Sequence, residues 1–490
     1  MAQLKVKVFD LYAGKPIAIL NREFAEEASI HVDDRIFLMK RNKRVVAIVD
    51  IAENLIRKNQ VAVSSEVTKE MKLRSGEKVE IEIAPKPESL EFIQKKLSGQ
   101  KLTKKEYKKI MQDVISNNLT GAEIAYFISA IYKSGMSIKE TRDMIKAIVE
   151  TGKTLKLRGK IADKHSIGGV PGRTTPIIVS ICAAAGLKIP KTSSRAITTS
   201  AGTADAMETI CKVDFSIQDI KRILEKVGAC IVWGGALNLA PADDKLIKIE
   251  KLLNLDPEEQ LLASILSKKI SVDAGYIVID MPYGKNAKID LKEARSLEKK
   301  FKKLAKYFGI KIAVSKKRTE EPLGNGIGPA LEIQDAIKVL KRESSCYKLE
   351  ERALELSGIL LEITGKAKKG NGYKKAKKIL DSGKAWKKFK EIVKAQKGNI
   401  KRIKEAKYKD DLKSEKTGNI REIKIKQINQ IARNAGCPLD KYAGIYLHKH
   451  VGDRVKKGEK LLTIYAESKT ELKNAKKEYK RLNPIIIRRW

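Results

Sequence analysis

Two short stretches carry most of the side chains that could do chemistry. The first, Asp163-Lys-His-Ser-Ile-Gly-Gly-Val-Pro-Gly-Arg-Thr-Thr175, sets glycines among a lysine, a histidine and several hydroxyls. Glycine lets the backbone approach a ligand closely, so amides, hydroxyls and an ammonium can converge on one anion, and the composition is that of a phosphate cradle. A Gly-Pro loop leading into a helix has a similar composition; the order Lys164-x-Ser166-x-Gly168-Gly169 favours phosphate. The second stretch, Ser193-Ser-Arg-Ala-Ile-Thr-Thr-Ser-Ala-Gly-Thr-Ala-Asp-Ala-Met-Glu208, crowds six hydroxyls and one arginine between small residues. Hydroxyls are neutral partners for ribose and phosphate oxygens, and small neighbours let a ligand lie against the backbone. A serine-rich surface turn would look alike, but its pairing with the first cradle favours a binding loop.

Other candidates are weaker. Asp256-Pro-Glu-Glu259 reads locally as a helix start, with Asp256 as N-cap and proline in the first turn. His165 lies in the phosphate stretch, to contact ligand or orient the loop, whereas His31, His448 and His450 lie outside it. No His, Asp and Glu constellation has metal spacing, so no metal or other cofactor is expected. Cys182, Cys211, Cys230, Cys346 and Cys437 are scattered, which predicts buried free thiols.

These residues need a framework, and 490 residues at 42% hydrophobic imply two to four domains. From Leu4 to Ile83 the period is two, in LKVKVFDL, RIFLMKR, VVAIVDIA and KVEIEIA, which predicts a β-rich, barrel-like module over 1–84. Pro85-Lys86-Pro87 then marks a linker. Three capping boxes follow, Thr103…Glu106, Thr120…Glu123 and Ser137…Glu140, each opening an apolar run of helical period. They predict a helical subdomain over 88–157, rejoined by a helical excursion at about 243–269. IIVSICAAAGL, CIVWGGALNL and YIVIDMP read as strands of a mixed central sheet in an α/β domain, 158–242 plus about 270–419, with the chemistry at the strand ends. Lysines at helical spacing between Lys366 and Lys394 predict amphipathic helices, and from about Ile420 the strand period returns in a C-terminal α+β module, 420–490.

The formal net charge of +41 raises nucleic acid as a partner. Lysine is nevertheless interleaved with glutamate, as in KKEYKKIMQD and KEARSLEKKFKKLAKYF, the pattern of solvated helix faces, and the excess also attracts small anions. No apolar run is long enough to cross a bilayer and MAQLKVKVFD lacks a signal peptide's apolar core, so a cytoplasmic protein is expected.

The hydroxyl stretch resembles the signature of thymidine and pyrimidine-nucleoside phosphorylases, Ser-(Gly/Ser)-Arg-(Gly/Ala)-aliphatic-x-x-(Thr/Ala)-(Gly/Ala)-Gly-Thr-x-Asp-x-aliphatic-Glu, departing at Ser200 and mildly at Met207. The glycine stretch is similar to the same family's phosphate loop, and Ala263–Lys269, Glu321–Asn325 with Gly328 and Ala330–Glu332, and Ser382–Gln396 extend the likeness. The resemblance implies phosphate bound by Lys164, Ser166, Thr175, Ser193 and Thr203. It implies substrate contacts from Gly168, Ser194, Arg195, Ala196, Ile197, Thr198, Thr199, Thr203, Ser264, Lys268 and Lys288. The family's base-contacting arginine has no clear counterpart near Ile249, which counts against thymidine. The β-rich module looks like the extension found in one branch, the archaeal AMP phosphorylases, which make adenine and ribose 1,5-bisphosphate from AMP and phosphate. That branch implies Asp256 as proton donor to the leaving base, and Lys285, Lys288 or Arg195 for the substrate's own 5′-phosphate. A homodimer or larger homo-oligomer is implied too. The competing readings are a pyrimidine-nucleoside phosphorylase, an RNA-binding protein on the same scaffold, and a phosphoribosyltransferase, the last lacking an acidic pyrophosphate–metal motif.

Overall fold

The computed structural model describes residues 2–196, 199–343 and 346–488, and the chain divides into two compact units, Met1–Gly152 with Ala240–Ser264, and Lys153–Leu239 with Ile265–Trp490. The first unit opens with β1 (Ala2–Val8), β2 (Ile17–Asn21), α1 (Arg22–Glu27), β3 (Arg35–Lys40), β4 (Lys43–Ala52), β5 (Gln60–Val63), α2 (Ser65–Met71) and β6 (Lys78–Ile83). The strands close into a barrel in the order β1-β5-β2-β4-β3-β6. Alternation drives it: Leu4, Val6, Val79 and Ile81 point into a core with Leu20, Ile36, Leu38, Val49 and Val61, while Lys5, Lys78 and Glu80 face out. The longer alternating strands β1, β3, β4 and β6 are those the sequence marks; β2 and β5 are too short and too evenly apolar to show a period.

Helices α3 (Ser89–Leu97), α4 (Lys104–Ile115), α5 (Gly121–Ser134) and α6 (Ile138–Thr151) follow, the last three starting at the three expected capping boxes. All three capping glutamates have second tasks, Glu106 pairing with Lys95 of α3 at 2.7 Å. Glu123 also pairs with Arg35 of β3. Glu140, buried, takes Lys96 Nζ at 2.8 Å besides the Ser137 amide and hydroxyl at 2.9 Å, so one carboxylate ends one helix and neutralises a lysine on another.

In the second unit the chain runs through β7 (Ala162–Ser166), α7 (Thr174–Ala184), β8 (Ile189–Ser193), α8 (Thr203–Glu208), α9 (Ile217–Val227) and β9 (Ala229–Trp233). It returns to the first unit as α10 (Pro241–Leu253), packed on α4, α5 and α6, and leaves it within α11 (Glu258–Ser271). Next come β10 (Tyr276–Tyr283), α12 (Leu291–Tyr307), β11 (Lys311–Arg318), β12 (Gly326–Ile327), α13 (Pro329–Lys341), α14 (Tyr347–Ile363), α15 (Gly372–Asp381) and α16 (Lys384–Ala395). Strands β11-β10-β7 and β8-β9 pair in parallel, and a parallel bridge from Ile161 to Lys188 joins the two groups. The antiparallel pairing comes at β12, which joins the C-terminal strand β15. That module consists of β13 (Tyr408–Lys413), β14 (Gly418–Ile423), α17 (Ile425–Asn434), β15 (Gly444–Leu447), β16 (Arg454–Val455), β17 (Lys460–Ala466), α18 (Lys469–Leu482) and β18 (Ile485–Arg488).

One sequence expectation is overturned. IIVSICAAAGL is not a strand; it forms most of α7, which is buried on every side from Thr174 to Ala183. A helix enclosed on all faces has no polar stripe, so its period vanishes and its β-branched residues mimic a strand. The converse error hid β7, β8 and β11, whose lysines Lys164, Lys191, Lys316 and Lys317 interrupt the apolar run.

The Glu140–Lys96 pair supplies a stability test. Glu140→Gln leaves a lysine ammonium buried without a counter-ion, and the expected loss is about 3–5 kcal/mol, read as a lower unfolding midpoint in urea. An unchanged midpoint would show that water already reaches Lys96.

Candidate active site

The site grows from the sheet register. Across three parallel strands, Ser166 of β7 lies opposite Asp280 of β10, and Asp280 opposite Ser315 of β11. Asp280 is buried; it accepts from Ser166 Oγ at 2.7 Å and from the Arg352 guanidinium, whose Nε lies 3.1 Å away. Arg352, on α14, also donates to Ser315 Oγ at 2.9 Å and its carbonyl at 3.0 Å. Lys164 is buried two residues before Ser166, its Nζ 3.2 Å from Thr174 Oγ1 and 3.8 Å from Asp280 Oδ2. Burial pushes the Lys164 ammonium down to about 8, against the pull of Asp280.

Asp163, fully buried, holds two more lysines: Lys269 of α11 at 2.6 Å and Lys191 of β8 at 3.7 Å. Burial brings Lys191 down to about 7. His165 stands half-buried beside this group. Loss of water, and then the charges of Lys269, Lys191, Lys164 and Lys268, hold its imidazole neutral, well below the usual range.

The glycine loop turns from β7 into the first turn of α7, which has no side-chain cap. Thr174 and Thr175 are the first two residues of that helix, both buried, so the expected hydroxyl at Thr175 sits where helix amides lack intrahelical partners. The loop is held from behind by Glu332 of α13, fully buried, which accepts the Gly172 amide at 3.1 Å and pairs with Arg173 at 2.6 Å. Gly172 is required: at φ +117°, a Cβ there would lie 2.8 Å from Leu323 Cβ.

The hydroxyl stretch leaves β8 at Ser193, whose Oγ donates to Val232 O at 3.2 Å. Ser194 is exposed and Thr203, half-buried, is the first residue of α8. Asp205 draws this loop tight, accepting the Ala196 amide at 2.7 Å and the Gly202 amide at 2.8 Å. A Cβ at Gly202 would meet the Ser194 carbonyl oxygen at 2.5 Å. Arg195 is committed: Glu208 takes it bidentately at 2.8 and 2.9 Å, Asp205 accepts at 3.2 Å, and it stacks 4.8 Å over the Trp233 ring. Its charge is therefore balanced inside the loop. Arg173 Nη2 donates to Ala201 O and so ties the two loops together. Thr199 Oγ1 donates to Ala201 O at 2.6 Å; Ile197 and Thr198 lie outside the described residues.

Thus the second unit brings Lys164, Ser166, Gly168 and Thr175 onto one loop, and Ser193, Ser194, Arg195, Ala196, Thr199 and Thr203 onto its neighbour, both at the carboxyl ends of parallel strands. Lys288, exposed, follows β10 at the same edge, and Lys268 is half-buried on α11. In the first unit, Ser264 Oγ donates to Asp243 Oδ2 at 2.8 Å, and Asp256 is exposed between α10 and α11. The first carbonyl of α11 to accept is that of Pro257, bonded by the Leu261 amide at 2.9 Å. Helix α11 begins at Glu258, two residues after Asp256. Sequence reasoning missed Asp280, Arg352, Asp163, Lys191, Lys269 and Glu332. Asp163, Lys269 and Glu332 lie in segments that carry the resemblance, and the signal for Asp280, Lys191 and Arg352 was charge inside a strand or helix.

Residues 90–152 match the family described as "Glycosyl transferase family, helical bundle domain" and 158–386 the "Glycosyl transferase family, a/b domain". Residues 419–485 match the "Pyrimidine nucleoside phosphorylase C-terminal domain". Among curated proteins, the AMP phosphorylase of Thermococcus kodakarensis is 44% identical over 492 residues, covering 99% of this chain and 97% of that one. The AMP phosphorylase of Pyrococcus furiosus is 42% identical over 494 residues, with the same coverage. Among solved structures, the anthranilate phosphoribosyltransferase of Thermus thermophilus matches with TM-score 0.53 at 17% identity, over 62% of this chain and 99% of that chain, a likeness of fold alone. With identity at that level over nearly its whole length, and with the bundle, α/β and C-terminal domains in order, the chain belongs to the AMP phosphorylase family.

Proposed function

We propose that this protein is a pentosyltransferase that cleaves AMP with inorganic phosphate, releasing adenine and ribose 1,5-bisphosphate, with CMP and UMP as further substrates. The observation that carries the reading is the buried group Lys164, Lys191 and Lys269 behind a glycine loop. Three lysines there face two carboxylates, Asp163 and Asp280, while Arg352 has Glu355 as a second partner. Uncompensated buried charge is costly, and a phosphate dianion removes the cost on binding. A thymidine-type substrate would need no cation for a 5′-phosphate. Arg195 is held by Glu208 and Lys285 by Glu422, and Lys288, exposed beyond β10, is assigned that phosphate from the family resemblance. Lys164, Ser166, Thr175, Ser193 and Thr203 are assigned the attacking phosphate, and Ser264 and Lys268 the base.

In this reaction a phosphate oxygen bonds to C1′ as the bond from C1′ to the base breaks, and the bonding electron pair leaves with the base. Holding the nucleophile in line and neutralising its charge provide part of the acceleration. Asp256 gives its proton to N7 of the departing purine. The enzyme acts in the cytoplasm as a homo-oligomer, with phosphate as co-substrate and no other cofactor.

The direct test is base release from AMP, CMP, UMP, thymidine and uridine, with and without phosphate. Phosphate-dependent adenine release with a sugar bisphosphate is expected; release from thymidine and uridine alone would move the protein to the pyrimidine-nucleoside branch. Asp256→Asn should lower turnover by about 10²–10⁴-fold while phosphate affinity holds, and wild-type turnover would remove the proton-donor assignment. The pH dependence follows from Lys164. Below about 8 it carries the ammonium that phosphate needs, and above that pH it loses it, while phosphate stays a dianion. Measured kcat/KM for phosphate should therefore fall as pH rises through about 8; a level profile to pH 10 would show that Lys164 does not hold the nucleophile.

A further inference from the structure

The C-terminal module reaches the site through one helix face. Asn429 of α17, buried, accepts the Ser200 amide through Oδ1 at 3.0 Å, and its Nδ2 lies 3.5 Å from Gly169 O. One turn later on the same face, Arg433 donates Nη2 to Thr199 O at 3.1 Å. Beyond α17, Lys441 pairs with Glu208 at 3.1 Å, the carboxylate that already fixes Arg195. Asn429 thus touches the backbone of both ligand loops, Gly169 in the glycine loop and Ser200 in the hydroxyl loop. These backbone groups lie within the loops and outside any strand, so Asn429 takes the part a sheet neighbour would play.

Position 200 makes the contact specific. Ser200 is fully buried, its Oγ has no hydrogen-bond partner among the described residues, and its amide is the group Asn429 holds. The backbone at that position is therefore set by the C-terminal module.

We infer that Asn429 is a positioning residue that locks the glycine loop to the hydroxyl loop, with Arg433 bracing the second, so that the C-terminal module sets the geometry of the phosphate site. Asn429 touches no substrate; it acts through the backbone of residues that do. The inference rests on the phosphate reading above, and the experiment separates the two.

Hydrogen exchange of the full-length protein and calorimetric titration with inorganic phosphate would be run on the wild type, Asn429→Ala, Arg433→Ala and Gln430→Ala, well below each unfolding midpoint. Asn429→Ala should speed exchange in both loops, 167–173 and 199–203, and weaken phosphate binding about tenfold. Arg433 is exposed, so its loss leaves the fold intact even if Asn429→Ala does not fold. Arg433→Ala should loosen 199–203 and weaken phosphate severalfold. Gln430, on the same helix but turned to Glu478, should change neither. Unchanged exchange in the loops of both the Asn429 and Arg433 variants overturns the inference, as does phosphate affinity equal to wild type. Absence of phosphate-dependent base release by the wild type overturns the functional reading instead, because the exchange measurement needs no substrate.

Discussion

The site depends on Asp280, a carboxylate buried in the sheet. A buried carboxylate in the middle of a parallel sheet survives only if its oxygens are saturated, and here Ser166 and Arg352 saturate them while Lys164 stands nearby. The register of β7, β10 and β11 puts Ser166, Asp280 and Ser315 in one row. A slip of one residue in β10 would send Asp280 to the opposite face and leave Arg352 with Glu355 as its remaining carboxylate. Strand pairing and electrostatics are therefore a single constraint at this point.

The same economy recurs around it. Asp163 anchors Lys269 from α11 and Lys191 from β8, and Glu332 anchors Arg173 and the Gly172 amide. Each buried carboxylate fixes a cation and a piece of backbone together, which costs less than burying either charge alone. What results is a group of buried lysines held below their ordinary range, Lys164 near 8 and Lys191 near 7. Burial, and then these same charges, hold His165 neutral, fit to accept or donate a hydrogen bond.

Much of the fold was legible because local signals agreed. The capping boxes at Thr103, Thr120 and Ser137 begin α4, α5 and α6, and the alternation in β1, β3, β4 and β6 matches the barrel. The signals failed where function or full burial overrode them. Helix α7 is enclosed on all sides and lost its period, while β7, β8 and β11 carry lysines that break the apolar pattern of a central strand.

The sequence by itself determined the order of the modules and the chemical character of the two loops, because glycine, hydroxyl and lysine content are local properties. It also marked Glu140 as a capping residue and Arg195 as a candidate contact. Only the tertiary structure decided that Glu140 neutralises Lys96, that Arg195 is spent on Glu208, and that Asp280, Arg352 and Asn429 hold the loops in place. Those partners lie from 13 to 229 positions apart in the chain, and a pairing of charges or amides at such separation leaves no period, cap or turn to read. It exists only once sheet register and helix packing have brought the groups within hydrogen-bond reach.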